Sequence, residues 1–353
     1  MINYIKILYN EFMTLTELSY YVRRALPYVL LAGLIFLIIF YSIKLYFVYL
    51  EANRPPITYI NQMFGPLPAL DLSQATSSAG YKFTLDTIEG VPVTATGSAA
   101  VYFLPEVPTR FGYREKIYLM AKTFGFDTTT ISHELSDKEA SFSDDAAELT
   151  VDIGNFNFRY VNNIEINSLV TGSINLSKTE ILNKATDFLR STGRYPDELA
   201  RGTTNVIYLK YDPRIRDFVN VERVYEASAV GIDFYRPTIN DLPITTPRFF
   251  NSQNFVVMDL KDGEPRIIRA QMNFFEKSEE QFGVYPLKSG QEAWQELTDD
   301  KGLIVAGTRG QKNITIKKMF IAYLDPSIYQ PYLQPVYVFL GESDFVAYVP
   351  AVK

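Results

Sequence analysis

The chain has 353 residues, of which 47% are apolar, 21% charged and 14% aromatic, and its net charge is −6. A chain of this size can bury a sizeable core without disulfides, and its acidic balance gives no indication of a nucleic-acid partner. It contains no cysteine and one histidine, which excludes disulfides, thiolate metal sites, cysteine nucleophiles and metal sites built from several histidines. We therefore predict no cofactor.

The first distinctive segment in chain order is an uncharged apolar run, Ala25–Ile43. A helix needs about 20 apolar residues to cross the hydrocarbon core of a membrane, and the apolar residues continue past Lys44. We therefore predict a transmembrane helix over residues 25–50. Leu50 stands where a signal-peptidase site needs a small residue, so we expect the helix to be kept as a signal anchor.

The basic residues around this helix predict its orientation. Arg23 and Arg24 directly precede the helix, whereas Lys44 and Arg54 lie towards its other end. Because basic residues are retained on the cytoplasmic side, residues 1–24 are predicted to be a cytoplasmic segment. The rest of the chain is then extracytoplasmic, anchored in the cell membrane by one spanning helix.

The chain beyond the anchor predicts an α+β fold. Residues 51–80 contain many prolines, glycines and small polar residues, so we predict a linker. After it, alternating apolar and polar runs predict antiparallel strands, with single short helices packed on the sheets. The pattern of a helix followed by strands recurs, which predicts a repeat of small units: a first over 81–175 and a second over 176–353.

Local signals give the bounds of individual elements. One helix has an apolar stripe over Ile117–Phe124 and stops at Gly125, and two others begin at the capping boxes Ser177–Glu180 and Ser289–Glu292. Trp294 lies in the last helix and is predicted to pack on the C-terminal sheet, the alternative being an exposed binding residue. The predicted strands are Tyr81–Ile88, Ser98–Phe103, Glu148–Ile153, Phe156–Tyr160, Val206–Lys210, Val219–Val224, Phe255–Leu260, Arg266–Phe275, Ile314–Leu324, Val336–Leu340 and Phe345–Val349.

The C-terminal region contains a hairpin with a predicted Asp262–Gly263 turn, followed by a helix and three strands. Its segments are Val257–Ile268, Tyr285–Leu297, Ile314–Leu324, Tyr332–Phe339 and Phe345–Val352. This succession resembles the extracytoplasmic part of the YycH/YycI regulators and related PepSY-like domains. Together with Phe64–Pro68 and Leu85–Gly90, the chain is also similar to uncharacterised single-pass proteins of candidate-phylum bacteria. The resemblance implies a domain that works through protein contacts, and it brings no catalytic residue.

The sequence offers little for catalysis. The segment His133–Asp137 approaches the H-E-x-x-H motif of metalloproteases, but Asp137 stands where the second histidine is needed. We predict this segment to be a solvated loop or turn. The chain has no G-x-S-x-G elbow, so no catalytic, cofactor-binding or metal-binding residue is predicted and an enzyme is not expected.

Tyrosines are frequent near the C-terminus and give the one candidate interface. Aromatic residues are enriched at protein interfaces, but they also build the cores of sheets. Both interpretations stay open for this cluster. Its members are Tyr323, Tyr329, Tyr332, Tyr337 and Tyr348.

These observations favour a membrane-anchored, extracytoplasmic protein-binding or regulatory protein without catalytic activity. Its expected partners are the membrane and another envelope protein or assembly. The alternative is a structural scaffold component of an envelope or secretion assembly. An enzyme that acts on cell-wall or sugar substrates is the third and least favoured class.

Overall fold

The structure is a computed structural model. It describes residues 15–52, 59–72, 75–92, 97–129, 132–162, 176–259, 264–307 and 310–353. The chain divides into two compact units, Met1–Pro56 and Ile57–Lys353. The anchor prediction concerns the first unit, and the sheets and clefts belong to the second.

The first unit contains helix α1, Leu15–Ala52. Its segment Arg23–Phe47 has a mean hydropathy of 2.4 and is long and apolar enough to span a membrane. None of that segment is buried against protein. The predicted N-terminal apolar helix is thus confirmed, whereas its insertion and orientation in a membrane stay predictions.

The second unit alternates short helices with many strands. Its helices are α2 Tyr113–Thr123, α3 Lys178–Ser191, α4 Asp197–Ala200 and α5 Gly290–Glu296. Its strands are β1 Thr76–Ser77, β2 Lys82–Leu85, β3 Ser98–Phe103, β4 Ser132–Leu135, β5 Glu139–Ser143, β6 Ala147–Asp152, β7 Phe158–Asn162, β8 Thr203–Asp212, β9 Asp217–Val221, β10 Ala229–Tyr235, β11 Ile244–Thr245, β12 Asn254–Asp259, β13 Arg266–Met272, β14 Phe282–Pro286, β15 Leu303–Ala306, β16 Asn313–Leu324, β17 Tyr332–Leu333, β18 Pro335–Gly341 and β19 Val346–Pro350.

The largest sheet has nine antiparallel strands in the order β4-β5-β6-β7-β13-β12-β10-β8-β9. Helices α2 and α3 pack on one of its faces through buried residues such as Ile117 and Ile181. These apolar residues recur at helical spacing and meet apolar residues at every second position of the strands. One face of the sheet therefore carries a continuous core, and the opposite face bears the clefts described below.

A second sheet has seven strands in the order β1-β15-β19-β18-β16-β11, with β2 also paired to β16. Both β2 and β11 run parallel to β16, and the other pairs are antiparallel. Helix α5 packs on one face of this sheet. A third sheet of three strands has the order β14-β3-β17.

The predicted linker over 51–80 differs from the structure. Helix α1 continues to Ala52, and much of the remainder is paired with the second unit. Asn61 forms a backbone bridge with Val284, Leu72 is buried, and β1 adds to the edge of β15. Proline and glycine prevent a helix here, but an extended backbone can still form these sheet contacts.

The predicted repeat also differs from the structure. Strand β7 lies before the predicted boundary at residue 175 and pairs with β13, which lies after it. Helices α2 and α3 pack on this same sheet. The two predicted regions therefore share one sheet, because the pattern of helix and strands in sequence does not specify which strands pair.

Most predicted strands are present, and β3 has the predicted bounds. Several described strands are absent from the predicted list, among them β5, β10 and β14. The segment His133–Asp137 was predicted as a loop, but its first residues belong to β4, so that prediction is wrong. Strands β12 and β13 pair antiparallel as predicted, whereas their connecting turn, Asp262–Gly263, lies outside the described residues.

Both predicted capping boxes are confirmed. The Ser177 and Ser289 side chains each accept a hydrogen bond from the N–H of the glutamate three residues later, and that glutamate accepts from the serine N–H. In the helix that begins after Ser289, Trp294 is partly buried against the core of the seven-stranded sheet. Its ring centroid lies 6.2 Å from that of Phe339.

We expect Trp294→Ala to lower the free energy of unfolding by about 2–3 kcal/mol, below the usual range for a fully buried Trp because the ring is only partly buried. Trp294→Phe is the matched control, since it keeps most of the contact with Phe339. Thermal unfolding of the full chain in detergent, followed by circular dichroism, measures both. An unchanged melting temperature for the alanine variant would show that the ring contributes no packing.

Candidate functional site

One row of side chains crosses the open face of the nine-stranded sheet at right angles to its strands. Each member lies directly opposite the next on the neighbouring strand, and such partners project from the same face. Neighbouring strands are about 4.8 Å apart, so the row is about 34 Å long. We call it the transverse row. Its members are Glu134, Ser141, Thr150, Arg159, Gln271, Phe255, Asp233 and Asn205.

The neighbours of the row members in sequence show which face the row occupies. Arg159 lies between Phe158 and Tyr160, both of which belong to the core beneath α2 and α3. Ala270 and Met272 flank Gln271 in the same way. Because side chains alternate between the faces of a strand, the row lies on the face opposite the helices. Every member is exposed or half-buried.

Two clefts lie over the central part of this row. Their volumes are about 1150 Å³ and about 810 Å³. Thr150 lines the first cleft, whereas Phe255 and Asp233 line the second. The two clefts share five lining residues and are therefore adjacent, and we call the two together the open-face groove. The residues that line both clefts are Arg159, Gln271, Asn273, Ser327 and Ile328.

The segment that follows β16, Asp325–Tyr329, forms a wall of this groove. The Asn273 Nδ2 donates a hydrogen bond of 2.6 Å to the Ser327 carbonyl. The Gln253 Nε2 donates to the carbonyls of Asp325 and Pro326, at 3.1 and 3.2 Å. Gln253 directly precedes β12 and Asn273 directly follows β13. Two side chains at the ends of strands of the nine-stranded sheet therefore fix the backbone of the wall.

A buried ion pair holds the start of the wall. An Arg236 guanidinium nitrogen lies 3.1 Å from an Asp325 carboxylate oxygen, and the two side chains are 0% and 3% exposed. The guanidinium lies 4.0 Å from the Phe274 ring centroid and donates a 2.7 Å hydrogen bond to the Phe275 carbonyl. Burial raises the pKa of Asp325, and the charge of Arg236 opposes that rise. Glu198 is a second carboxylate partner of Arg236, at 3.4 Å.

We expect Asp325→Ala to destabilise the fold by about 3–5 kcal/mol, because it leaves a buried guanidinium without its nearest carboxylate. The matched control is Asp86→Ala, which removes an exposed carboxylate 2.6 Å from Lys317. Such exposed pairs contribute little to stability. Chemical denaturation measures the free energy of unfolding of both variants. Equal denaturation midpoints would contradict a structural role for the buried pair.

Three polar groups of the groove have incomplete partners. Arg159 is exposed and lines both clefts, and among the residues that the structure describes its guanidinium has no ion-pair partner. The half-buried Asp233 carboxylate accepts one hydrogen bond, from the Tyr235 hydroxyl at 3.3 Å. Among the described residues, the buried Oε1 of Gln253 has no hydrogen-bond partner. An exposed cation and a half-buried carboxylate are thus available to a ligand, and the Gln253 Oε1 is enclosed nearby.

Burial raises the pKa of Asp233 to about 6, against a smaller lowering effect of the Tyr235 hydrogen bond. The pKa in the folded state is therefore above the unfolded value of about 3.9. Between these two values the folded state binds more protons than the unfolded state, so stability falls as pH rises from about 4 to 6.

We therefore expect Asp233→Asn to be more stable than the natural chain at pH 7, by about 1 kcal/mol after allowance for solvent screening. Below about pH 4 the variant and the natural chain should be equally stable, because Asp233 is then neutral in both the folded and the unfolded state. Melting temperatures measured from pH 4 to 7 test this. If the difference in melting temperature between the two chains does not change with pH, titration of Asp233 is not its cause.

Three of the five tyrosines in the candidate interface belong to the core, which is the other interpretation that the sequence left open. Tyr323, Tyr337 and Tyr348 are fully buried. Each hydroxyl donates a hydrogen bond to a backbone carbonyl that is remote in sequence, which makes burial of the polar group favourable. The acceptors are Ala100, Lys288 and Thr246, at 2.8, 2.7 and 2.7 Å respectively.

The other two tyrosines lie nearer the surface. Tyr329 is exposed, lines the first cleft and donates a 2.9 Å hydrogen bond to the Leu104 carbonyl. Tyr332 is half-buried, with its ring centroid 4.7 Å from that of Phe64. Tyr329 is thus the one predicted interface residue that belongs to the open-face groove, and no member of the transverse row was predicted.

The single histidine lies away from the groove. Its ring faces α2, where the Tyr118 hydroxyl is 3.2 Å from the His133 Nε2. Within the described ranges, no three histidine, aspartate or glutamate side chains converge on a position for a metal ion. The chemistry that the groove itself offers is hydrogen bonding, charge recognition and apolar contact, the last from residues such as Phe255 and Val257.

Comparison with known proteins adds no family assignment. No family model and no curated protein matches the chain. Among solved structures, the chain is similar to an uncharacterized protein from Eubacterium rectale ATCC 33656, with 10% sequence identity and a TM-score of 0.32. The match covers 78% of this chain and 89% of that one. A similarity this low supports no conclusion about fold or function.

Proposed function

We propose that this protein is a non-catalytic, membrane-anchored binding protein, and that its open-face groove holds a partner polypeptide of the cell envelope. The observation that supports the proposal is the pair of adjacent clefts on one face of the sheet. Two clefts share five residues and lie over a row of exposed or half-buried, mostly polar side chains. Concave sites with a few convergent polar groups are typical of binding sites.

The fixed wall favours binding over a merely open sheet surface. Asn273 and Gln253 hold the wall backbone by direct hydrogen bonds, and Arg236 holds Asp325. A site whose walls are fixed before the ligand arrives loses less conformational entropy on binding. The exposed guanidinium of Arg159 would then meet a ligand with little rearrangement of the sheet.

The proposed location follows from the apolar helix. Segment Arg23–Phe47 would span the cell membrane, and Arg23 and Arg24 favour a cytoplasmic N-terminus. The groove would then face the extracytoplasmic side. The resemblance to YycH/YycI and PepSY-like proteins suggests that the bound polypeptide belongs to a regulatory partner in the envelope.

Photocrosslinking in intact membranes tests this proposal. We expect benzoylphenylalanine at Thr150, inside the first cleft, to give one dominant crosslinked protein. The same group at Leu119, which is 59% exposed on α2, should give none. Adding Arg159→Glu to the Thr150 probe should reduce the product about fivefold or more, by charge reversal at the centre of the groove.

A groove probe that gives no product, or the same product as the Leu119 probe, would contradict the proposal. Thermal unfolding of each variant shows whether a lost product reflects loss of the fold. Arg159 makes no ion pair among the described residues, so its reversal is expected to leave the melting temperature unchanged.

A further inference from the structure

The transverse row carries two opposite charges within the open-face groove, and their separation indicates what the groove binds. We infer that the ligand is an extended polypeptide segment that crosses the strands and presents an acidic and a basic side chain four residues apart, to Arg159 and Asp233 respectively. This inference rests on the proposed function and specifies the ligand of the same groove.

The separation of the charges follows from the order of the strands. Arg159 lies on β7 and Asp233 on β10, with β13 and β12 between them. Both are members of the directly opposed row, so their backbone positions are three strand spacings apart, about 14 Å. The row residues between them are Gln271 and Phe255.

An extended polypeptide matches this separation. Its rise is about 3.4 Å per residue, so four residues span about 14 Å, and every second side chain points to the same side. Side chains at positions i, i+2 and i+4 would therefore face the sheet together. A helix places positions i and i+4 only about 6 Å apart, and in an extended chain positions i and i+3 point to opposite sides.

The row also predicts the polarity of the ligand side chain in the middle of the segment, at position i+2. The side chain at i+2 would lie between Gln271 and Phe255. Phe255 is half-buried and lines the second cleft, so an apolar side chain at i+2 gains contact with its ring. The expected pattern is acidic, any residue, apolar, any residue, basic.

A second observation supports a basic group at the β10 end of the groove. Gln253 lines the second cleft and is 6% exposed, and its buried Oε1 has no hydrogen-bond partner in the part of the chain that the structure describes. Its Nε2 is used by two carbonyls, which fixes the orientation of the amide. The lining of the second cleft therefore contains the Asp233 carboxylate and the enclosed Gln253 oxygen, which are both acceptors. An ammonium or guanidinium, which only donates, suits such a site.

The charges of the groove also favour a polypeptide ligand over a neutral polysaccharide. A neutral glycan would bring no counter-charge to Arg159 or Asp233. Phe255 is the row's one aromatic residue and is half-buried, so the row has no broad aromatic platform. Opposite charges at the extended-chain spacing favour a polypeptide.

Fluorescence anisotropy with labelled synthetic peptides tests the inference on the full chain in lipid nanodiscs. The probe is a nine-residue threonine-rich peptide with glutamate, valine and lysine at its third, fifth and seventh positions. The matched control moves the lysine to the sixth position and keeps the composition. We expect the probe to bind about tenfold more tightly than the control, because only the probe presents both charges to the sheet.

A change in the protein makes the test specific. Arg159→Glu gives the groove two acidic ends, so it should lose the probe and prefer a peptide with lysine at both the third and seventh positions. Reversing glutamate and lysine in the probe should leave binding to the natural chain nearly unchanged, since an extended peptide can lie in either direction across the row.

Equal binding of the probe and the control would overturn the inference. So would binding of chitin oligosaccharides or soluble cell-wall glycan fragments in place of both peptides. Photocrosslinking from Thr150 can still depend on Arg159 after either of these binding results. In that case the proposed binding function stands, and only the inferred class of ligand is wrong. Loss of that crosslink specificity would contradict the proposed function itself.

Discussion

The arrangement of the second unit depends on the buried ion pair between Arg236 and Asp325. Arg236 directly follows β10 of the nine-stranded sheet, and Asp325 directly follows β16 of the seven-stranded sheet. Two buried charges are costly to desolvate unless they are well paired and hydrogen bonded. Here the guanidinium also lies over Phe274 and donates to the Phe275 carbonyl. The pair therefore fixes where the two sheets meet, and with them the wall of the open-face groove.

Buried tyrosines reinforce the same junction. The Tyr348 hydroxyl donates to the Thr246 carbonyl, and Thr246 begins the loop that lines the second cleft. The Tyr285 hydroxyl similarly donates to the Gly65 carbonyl and accepts from the Phe64 N–H, which holds the entry segment on the second unit. A tyrosine fills core volume and also satisfies one remote backbone group. This explains part of the chain's unusual aromatic content.

Local sequence signals predicted local structure well. The capping boxes at Ser177 and Ser289 specify helix starts because both partners lie within four residues.

Strand β10 was missed because Gly231 and Asp233 interrupt its apolar run. Asp233 nevertheless occupies a central strand, and this exception to the apolar pattern coincides with the candidate site.

The open-face groove could not be predicted in the same way. Arg159 and Gln271 become neighbours only through the pairing of β7 with β13, and no local pattern encodes that register. The tyrosine cluster shows the same limit. Whether Tyr323 is core or interface depends on its hydrogen bond to the Ala100 carbonyl, a partner that the sequence around it does not reveal.

Hydrogen–deuterium exchange on the full chain in nanodiscs, with and without the glutamate–lysine peptide, tests the central claim that the groove binds across the sheet. We predict new protection in the wall, at Ser327 to Tyr329, and in the loop that contains Thr246. The edge strands β4 and β9 should be unchanged. Protection along β9 with an unchanged wall would mean that a ligand adds to the sheet as another strand, and this would contradict the account.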